Sequence, residues 1–580
     1  MIDLVRREVR QVPFSGSRTA KGPATFGQTD ILQWYGQQPD SPDVWVPVTL
    51  ALPRNGQKLA HVLSALARLV ERHEVLRTVY PEFPSPVQHV VGSGRLGVHL
   101  CSLPRQAAAA EVSRTELDEA LRAYVVSRLP RLYDHTELPL HIALALRGDS
   151  VIAGIVEIAH AAVDYQAAAV VGDELAVLLR SPRTPSGGAP PYQPLERAAD
   201  ERTGEAAGSA AAALRNWEEW LRRVPPSPYP IERTAEAGTP LMGKLHSRAL
   251  AIGVTRLSRR TGLSRPSVLL AAVSAVLSRR TGYAETALTA MAANRSGPRL
   301  SDYVGTLAQV TPMTVRVAGA GFDELVRRSW AATIRAGMRG AYDAQLRQAI
   351  AARVQEERGV VFCFDPVFNY YSAAAHSVQD VPSGLTWEPR GVTTEAPVRF
   401  ECFDATDHVV LRLWGGHPGH LSRAETEALL RAVERLVLKA SLRDLSAEEV
   451  TEAVALRTVD RGADWVLVDS CWIQLSEVQR LLDDVFGAGR AHVSCDTGRQ
   501  LVAHVRAGST AASARTAHQA CMKALPGRLN AMAPARYILC DGAPGPAAAC
   551  HGRVVDDGSG RTPSDSSEPW NSGDGLHVRH

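Results

Sequence analysis

"LHIALALRGDSVIAGIVEIAHAAVDYQAAAVVGDELAVLL", Leu140 to Leu179, is the stretch from which the fold class follows. Two apolar, partly alternating runs hinge at Gly148-Asp149-Ser150, the pattern of a β-hairpin. A helical stretch, "QAAAVVGDELAVLL", follows directly. His160 therefore ends a strand, and Asp164 lies in the turn that enters a helix. A general base needs a fixed ring orientation and a pKa near working pH; a strand end before a tight turn supplies the first. The His-to-Asp spacing itself carries little, because it recurs as His376–Asp380 in "HSVQD" and His492–Asp496 in "HVSCD". The former borders a Pro/Gly loop with no apolar frame. The latter lies on a strand that turns at Thr497-Gly498, where both side chains would face away from a cleft. On the residues alone, His160 reads either as a functional base or as a satisfied core histidine.

Strands and helices alternate along most of the chain. "VWVPVTLALP" (44–53) reads as a strand, followed by an amphipathic helix from about Gly56 to His73. "EVSRTELDEALRAYVVSRL" is helical, and Pro and Gly clusters mark a linker from about Ser181 to Ser209. "SRPSVLLAAVSAVLSRRTG" is a punctuated helix, with Ser264 as N-cap, Pro266 in the first turn and Gly282 past the end. "TALTAMAA", "TPMTVRVAG", "GVVFCFDPVFNYY" and "HVVLRLWGG" read as strands, and "SRAETEALLRAVERLVLKA" is a helix that closes a unit near Ala440. A second alternating unit follows, from about Ala455 to Val555. The final stretch, rich in Gly and Ser, has the composition of a disordered tail.

The 580 residues exceed what one core serves; at about 150 residues per domain, three to four units are expected. Hydrophobic content of 45% and charged content of 22% are those of a soluble globular protein. A formal net charge of +3 makes no electrostatic case for nucleic acid as a partner. The opening "MIDLVRREVRQVPF" lacks an apolar signal core, and no apolar run approaches the roughly 18 residues that span a membrane, so a cytoplasmic protein with no membrane partner is expected. The eight Cys are scattered without a C-x-x-C pair and read as reduced thiols. Cys550 and His551 lack zinc-ligand spacing, and no metal is expected.

From about Thr25 to Ala440 the chain resembles the condensation domain of nonribosomal peptide synthetases, a relative of chloramphenicol acetyltransferase. "ATFGQTDILQWYGQQPDSPDVWVPVTLAL" resembles the family's opening segment, and "RHEVLRT" (Arg72–Thr78) is a near-verbatim match to its second motif. The family's H-H-x-x-x-D-G motif reads here as Ala159-His160-Ala161-Ala162-Val163-Asp164-Tyr165. "LRNWEEWLRRVPPSPYPIERT", "ANRSGPRLSDYVGTLAQVTPMTVRV" and "FCFDPVFNYYS" match later landmarks in the same order. The resemblance implies an α/β (α+β) fold of two chloramphenicol-acetyltransferase-like lobes forming a V with a central tunnel. It implies that His160, at the lobe junction, orients or deprotonates an acceptor as it attacks a thioester, without a covalent acyl-enzyme. Asp164 would be structural and paired with an Arg: Arg295 first, Arg77 second. The departures are Ala159 in place of the first His and Tyr165 in place of Gly, which adds a ring beside the reaction point.

"WIQLSEVQRLLDDVFGAGRAHVSCDTGRQLVAHVRAG" and "LPGRLNAMAPARYILCDGAP" resemble the small C-terminal subdomain of adenylate-forming enzymes. Its catalytic lysine position is held here by Arg553, in "HGRVVD", and no Gly/Ser/Thr-rich phosphate loop lies upstream. Arg does not replace a lysine point contact, so this unit is not expected to adenylate. The expected organisation is a condensation N-terminal lobe (1–180), a linker (181–209), a C-terminal lobe (210–440), a linker (441–454), the adenylation-like unit (455–556) and a disordered tail (557–580). The expected function is that of a free-standing condensation enzyme with no bound cofactor. Its donor would ride on the phosphopantetheine of a separate carrier protein, and its acceptor would be a small molecule or carrier-bound. A silent adaptor and a coenzyme A-dependent acyltransferase are the alternatives.

Overall fold

The computed structural model describes residues 3–39, 41–103, 112–180, 191–227, 229, 240–372, 383–390, 398–405, 407–416, 421–542 and 552–561. The chain divides into two compact units rather than three or four. One comprises Met1–Trp217, Arg233–Arg347 and Asp365–Arg457, and the other Glu218–Glu232, Gln348–Phe364 and Thr458–His580.

The first unit holds two lobes. The N-terminal lobe has strands β1 (Val5–Ser15), β2 (Ala20–Pro23), β3 (Trp45–Thr49), β4 (Gln57–Lys58), β5 (Thr78–Val79), β6 (Val87–Val90), β7 (Ser93–Ser102), β8 (Leu140–Arg147) and β9 (Ser150–Ala159). Its helices are α1 (Phe26–Gln37), α2 (Leu59–Arg72), α3 (Arg114–Arg128), α4 (Tyr165–Arg180), α5 (Pro194–Glu201) and α6 (Gly204–Leu221). The main sheet runs β1-β7-β8-β9-β3 with β4 also on β9, and β2-β6-β5 form a small second sheet. β8 and β9 read as continuous apolar runs because both faces of the sheet are covered. Ile142, Leu144 and Leu146 pack with α2 and α4, whereas Ala143 and Ala145 pack with α3. Gly148 takes the hairpin turn at φ 60°, the left-handed region that glycine tolerates.

The C-terminal lobe has strands β10 (Leu241–Ser247), β11 (Glu285–Ala292), β12 (Gln309–Arg316), β13 (Val367–Ser372), β14 (Gly384–Pro389), β15 (Arg399–Asp404) and β16 (Val409–Trp414), in sheet order β12-β11-β13-β15-β16-β10-β14. Its helices are α7 (Arg248–Thr261), α8 (Arg265–Thr281), α9 (Phe322–Met338), α10 (Ala344–Arg358), α11 (Arg423–Ala440) and α12 (Ala447–Val454). α8 is buried on nearly every face and ends at Gly282 with φ 78°. Among the described residues no single helix is long and apolar enough to cross a membrane. α7 and α8 meet the criterion only together, bent by 107°.

The second unit contains the hairpin β17 (Trp465–Val468) and β18 (Cys471–Gln474), and a four-stranded sheet. That sheet runs β19 (Ala491–Cys495), β20 (Leu501–Arg506), β21 (Arg536–Cys540), β22 (Val554–Gly558), with helices α13 (Leu475–Phe486) and α14 (Ala514–Ala524). It also takes in the end of α6 and most of α10. The buried Arg358 at the end of α10 donates to Asp469 Oδ2 at 2.7 Å and to the Val224 carbonyl at 2.7 Å.

Five expectations change. Within 181–209, α5 and α6 replace a linker from Pro194 on, because the Glu196 carboxylate accepts from Gln193 N–H at 2.8 Å and Pro194 sits at the first helical position. Within 441–454, α12 forms behind a Ser446–Glu449 capping box and buries Val450, Ala453 and Val454. The strand expected in "GVVFCFDPVFNYY" begins only at Val367, and residues 557–558 belong to β22 rather than to a tail. Six described cysteines are in no disulfide, but Cys540 is disulfide-bonded, against the expectation of reduced thiols throughout. His376, Asp380, Cys550, His551 and residues 562–580 lie outside the described residues.

Candidate active site

β9 is buried from Val151 to Ala159, and β3 pairs with it as far as Trp45 opposite Ala159. The chain leaves the sheet at His160, whose backbone N–H donates to the Val44 carbonyl at 2.8 Å. Ala162 N–H closes the turn onto the Ala159 carbonyl at 2.8 Å. Small residues let this turn pack flat: Ala159, Ala161, Ala162 and Val163 are all buried. A second bolt comes from Tyr35 of α1. Its hydroxyl accepts from Ala161 N–H at 3.0 Å and donates to the Val44 carbonyl at 3.1 Å. Tyr35 carries no distinctive pattern in the sequence beyond the apolar helix that holds it.

Asp164 ends the turn, 3% exposed. Its Oδ1 accepts from Ala167 N–H at 2.8 Å, inside the first turn of α4, and from Arg295 Nη2 at 2.7 Å. Its Oδ2 accepts from the backbone N–H of Leu307 at 2.9 Å and Ala308 at 3.2 Å. Arg295 also donates to the carbonyls of Tyr303 at 2.7 Å and Gly305 at 3.0 Å. Asp164 is thus fully engaged in joining the N-lobe turn to a C-lobe loop, and its partner is Arg295. Arg77 is fully buried elsewhere. It donates to the carbonyls of Arg18 and Val91 at 3.0 and 2.7 Å and lies 3.6 Å from Glu74, so it does not serve Asp164.

The His160 ring stands edge-on to Trp34, with centroids 6.4 Å apart, and to Tyr165 at 6.0 Å. Its Nδ1 is buried without a hydrogen-bond partner among the described residues, which leaves Nε2 as the nitrogen able to meet a substrate. Ala159, where the resemblance calls for a first histidine, packs in an aromatic cluster with Tyr35, Trp45 and Tyr80. Tyr165 opens α4 and meets the C-lobe: its ring is edge-on to Tyr371 at 5.8 Å, and Tyr371 stacks on Phe403 at 4.6 Å. Burial, reinforced by Asp43 and Glu401, pushes the Tyr165 phenol well above its ordinary range, so it stays protonated. A second ion pair crosses between the lobes, from Arg390 to Asp43 at 2.9 Å. Sequence pattern gave neither residue a role.

The other candidates lie apart. Asp496 accepts from Gln500 N–H at 2.7 Å and so holds its own hairpin turn, while His492 sits on β19 opposite His504. Arg553 is exposed, and its backbone N–H donates to Asp541 Oδ1 at 2.8 Å.

Comparison with known proteins agrees with this geometry. A family model described as the condensation domain matches residues 33–384. Phosphinothricin tripeptide synthetase PhsC of Streptomyces viridochromogenes is 28% identical over 326 residues, covering 52% of this chain and 28% of the synthetase. The probable non-canonical nonribosomal peptide synthetase CymA of Salinispora arenicola is 27% identical over 346 residues, 56% of this chain and 4% of that protein. This chain therefore spans only a small part of these relatives' length. Among solved structures, SgcC5 of Streptomyces globisporus superposes with a TM-score of 0.54 at 18% identity, covering 73% of this chain and 99% of that one. The X-domain from teicoplanin biosynthesis gives 0.54 at 18%, covering 75% and 98%. At these identities the superpositions carry the fold alone: two chloramphenicol-acetyltransferase-like lobes.

Proposed function

This chain belongs to the condensation domain family, and on that premise we propose that it forms an amide, or an ester, between a carrier-tethered acyl or aminoacyl thioester and an amine or hydroxyl acceptor. The observation that carries the reading is His160. Its Nδ1 is sealed, its Nε2 is open, and its loop is bolted between the lobes through Asp164 and Arg295. In the proposed step, Nε2 orients the acceptor N–H or takes its proton as the nitrogen attacks the thioester carbonyl. The C–N bond forms, the C–S bond breaks, and the proton leaves on the pantetheine thiol. Positioning of the two substrates supplies most of the acceleration, and the base adds to it.

The donor would arrive on the phosphopantetheine of a carrier protein outside these residues, in the cytoplasm. The protein itself would need no resident cofactor. We read the second unit as a relative of the adenylation C-terminal subdomain, with Arg553 where the lysine would be, that packs or docks a carrier without adenylating. Ala159 and Tyr165 favour a second reading, an adaptor that has lost catalysis.

Mass spectrometry of carrier-loaded donors incubated with a panel of amines, with wild type and His160→Ala, tests the proposal. Acyl transfer that disappears in the variant supports the enzyme. Pathway output indifferent to His160 supports the adaptor, and transfer from soluble acyl-coenzyme A but not from loaded carrier would point to the acyltransferase.

A further inference from the structure

Side chains alternate across the C-lobe strands. Leu245, Phe400, Cys402, Leu411 and Leu413 point one way and are buried. A glycine on the same face, Gly243, would place a Cβ 2.8 Å from Thr426 of α11, so this is the helix-covered face. The opposite face carries Arg399, Glu401 and Phe403 of β15 with Arg412 and Trp414 of β16. In register, Arg399 pairs with Trp414 and Glu401 with Arg412. The ladder of rings from His160 leads to this face: Tyr165, then Tyr371, then Phe403, with the Arg412 guanidinium 4.0 Å above the Phe403 ring.

Two independent features mark this patch. The first is a deficit of acceptors. Nε of Arg399, Nε of Arg412 and Nε1 of the fully buried Trp414 are three buried N–H donors without a partner among the described residues. Buried donors in folded proteins are nearly always satisfied by protein, water or ligand. The second is charge. Arg390 is matched by Asp43 and Lys244 by Glu388. Among the described residues Arg399 and Arg412 share only Glu401, whose carboxyl lies 3.7 Å from Arg412 and whose charged form both arginines favour against a burial that raises its pKa. Two guanidinia on one carboxylate leave an excess of one positive charge among the described residues.

We propose that Arg399, Arg412 and Trp414 form a subsite for an oxyanion carried by a substrate: the carboxylate of a free acceptor or the phosphate of a pantetheine arm. Either source brings planar or tetrahedral acceptor oxygens and the missing negative charge to donors held in a low-dielectric wall. The guanidinia are pre-placed over rings, Arg399 5.5 Å from Trp414 and Arg412 on Phe403, so little side-chain freedom is lost on binding. The assignment of the oxyanion to a substrate rests on the condensation reading.

The test is isothermal titration of the full chain at fixed ionic strength with N-acetylglycine, N-acetylglycinamide, inorganic phosphate and 4′-phosphopantetheine. Saturable binding of an anion, with the neutral amide silent and affinity falling about tenfold or more in Arg399→Gln, is the expected result. Binding of the carboxylate alone names the acceptor as the source, and binding of the phosphates alone names the arm. If Arg399→Gln does not fold, Arg399→Lys keeps the charge, lacks the Nε donor, and is still expected to bind more weakly. Absence of saturable anion binding, equal affinity in the folded variants, or equal binding of acid and amide overturns the subsite. His160→Ala should keep the anion affinity, so a wild type that binds anions but transfers nothing would refute the condensation reading and leave the subsite standing.

Discussion

The Asp164 carboxylate and the Arg295 guanidinium meet at 2.7 Å between the two lobes, each side chain about 95% buried. Removing one partner strands the other charge. Arg295→Ala is expected to destabilise the first unit by about 3–5 kcal/mol. Arg295→Lys should not rescue it, because one ammonium cannot reproduce contacts to Asp164 and to the carbonyls of Tyr303 and Gly305. Urea titration measures both, and a loss below about 1 kcal/mol for Arg295→Ala would contradict the role given to the pair.

His160 has the opposite profile. Its side chain makes no hydrogen bond among the described residues, and its Nδ1 is a buried unpaired atom, so His160→Ala should change stability by no more than about 1 kcal/mol. Transfer should fall by about 100- to 10,000-fold, the usual share of a general base. Single-turnover acyl transfer beside an unfolding curve separates the two effects. An unfolded variant would mean that the histidine is structural.

Much of this site was legible in the chain, and the reasons differ by residue. The strand, turn and helix around His160 follow from apolar alternation and a change of period, which are local signals. Arg295 lies 131 residues from Asp164, and no local pattern joins them; only the family resemblance pointed there. Tyr35 was hidden because a tyrosine on an apolar helix reads as core. α5 and α12 were obscured by Pro, Ser and charge, although the Ser446–Glu449 capping box is itself a local signal. α10, "AQLRQAIAARVQEER", lacks a clear apolar stripe, and its membership in the second unit depends on long-range contacts such as Arg358 to Asp469. Such contacts leave no periodicity to read.

Tyr165 places a ring between His160 and the C-lobe, so Tyr165→Gly should open the approach. The expected result is a higher kcat/KM for bulky acceptors than for small ones, at a stability cost larger than about 0.5–1 kcal/mol, the cost of glycine in a helix, because the ring's packing on His160 and Tyr371 is lost as well. Tyr165→Phe should leave the size preference unchanged. Because burial raises the phenol's pKa, the pH–rate profile should show no phenolate limb near its ordinary value of about 10. Identical acceptor profiles for wild type and Tyr165→Gly would show that the ring does not shape the approach.

In the second unit His518 is fully buried, 3.4 Å from the Tyr537 hydroxyl and 3.6 Å from Glu356. Burial, followed by the nearby Arg561 charge, lowers its pKa to about 4. The unfolded chain takes up this proton near pH 6.5. Between those values the unfolded state binds more protons, so the histidine's contribution is complete above about pH 6.5 and declines as pH falls toward about 4. The shift corresponds to about 3 kcal/mol, all of it in that window. His518→Gln should remove this slope. Hydrogen-exchange protection of β20 and β21, corrected for intrinsic rates, should therefore fall more steeply on acidification in wild type than in the variant. Parallel pH dependences would show that His518 is protonated in the folded protein and that its burial does not hold it neutral.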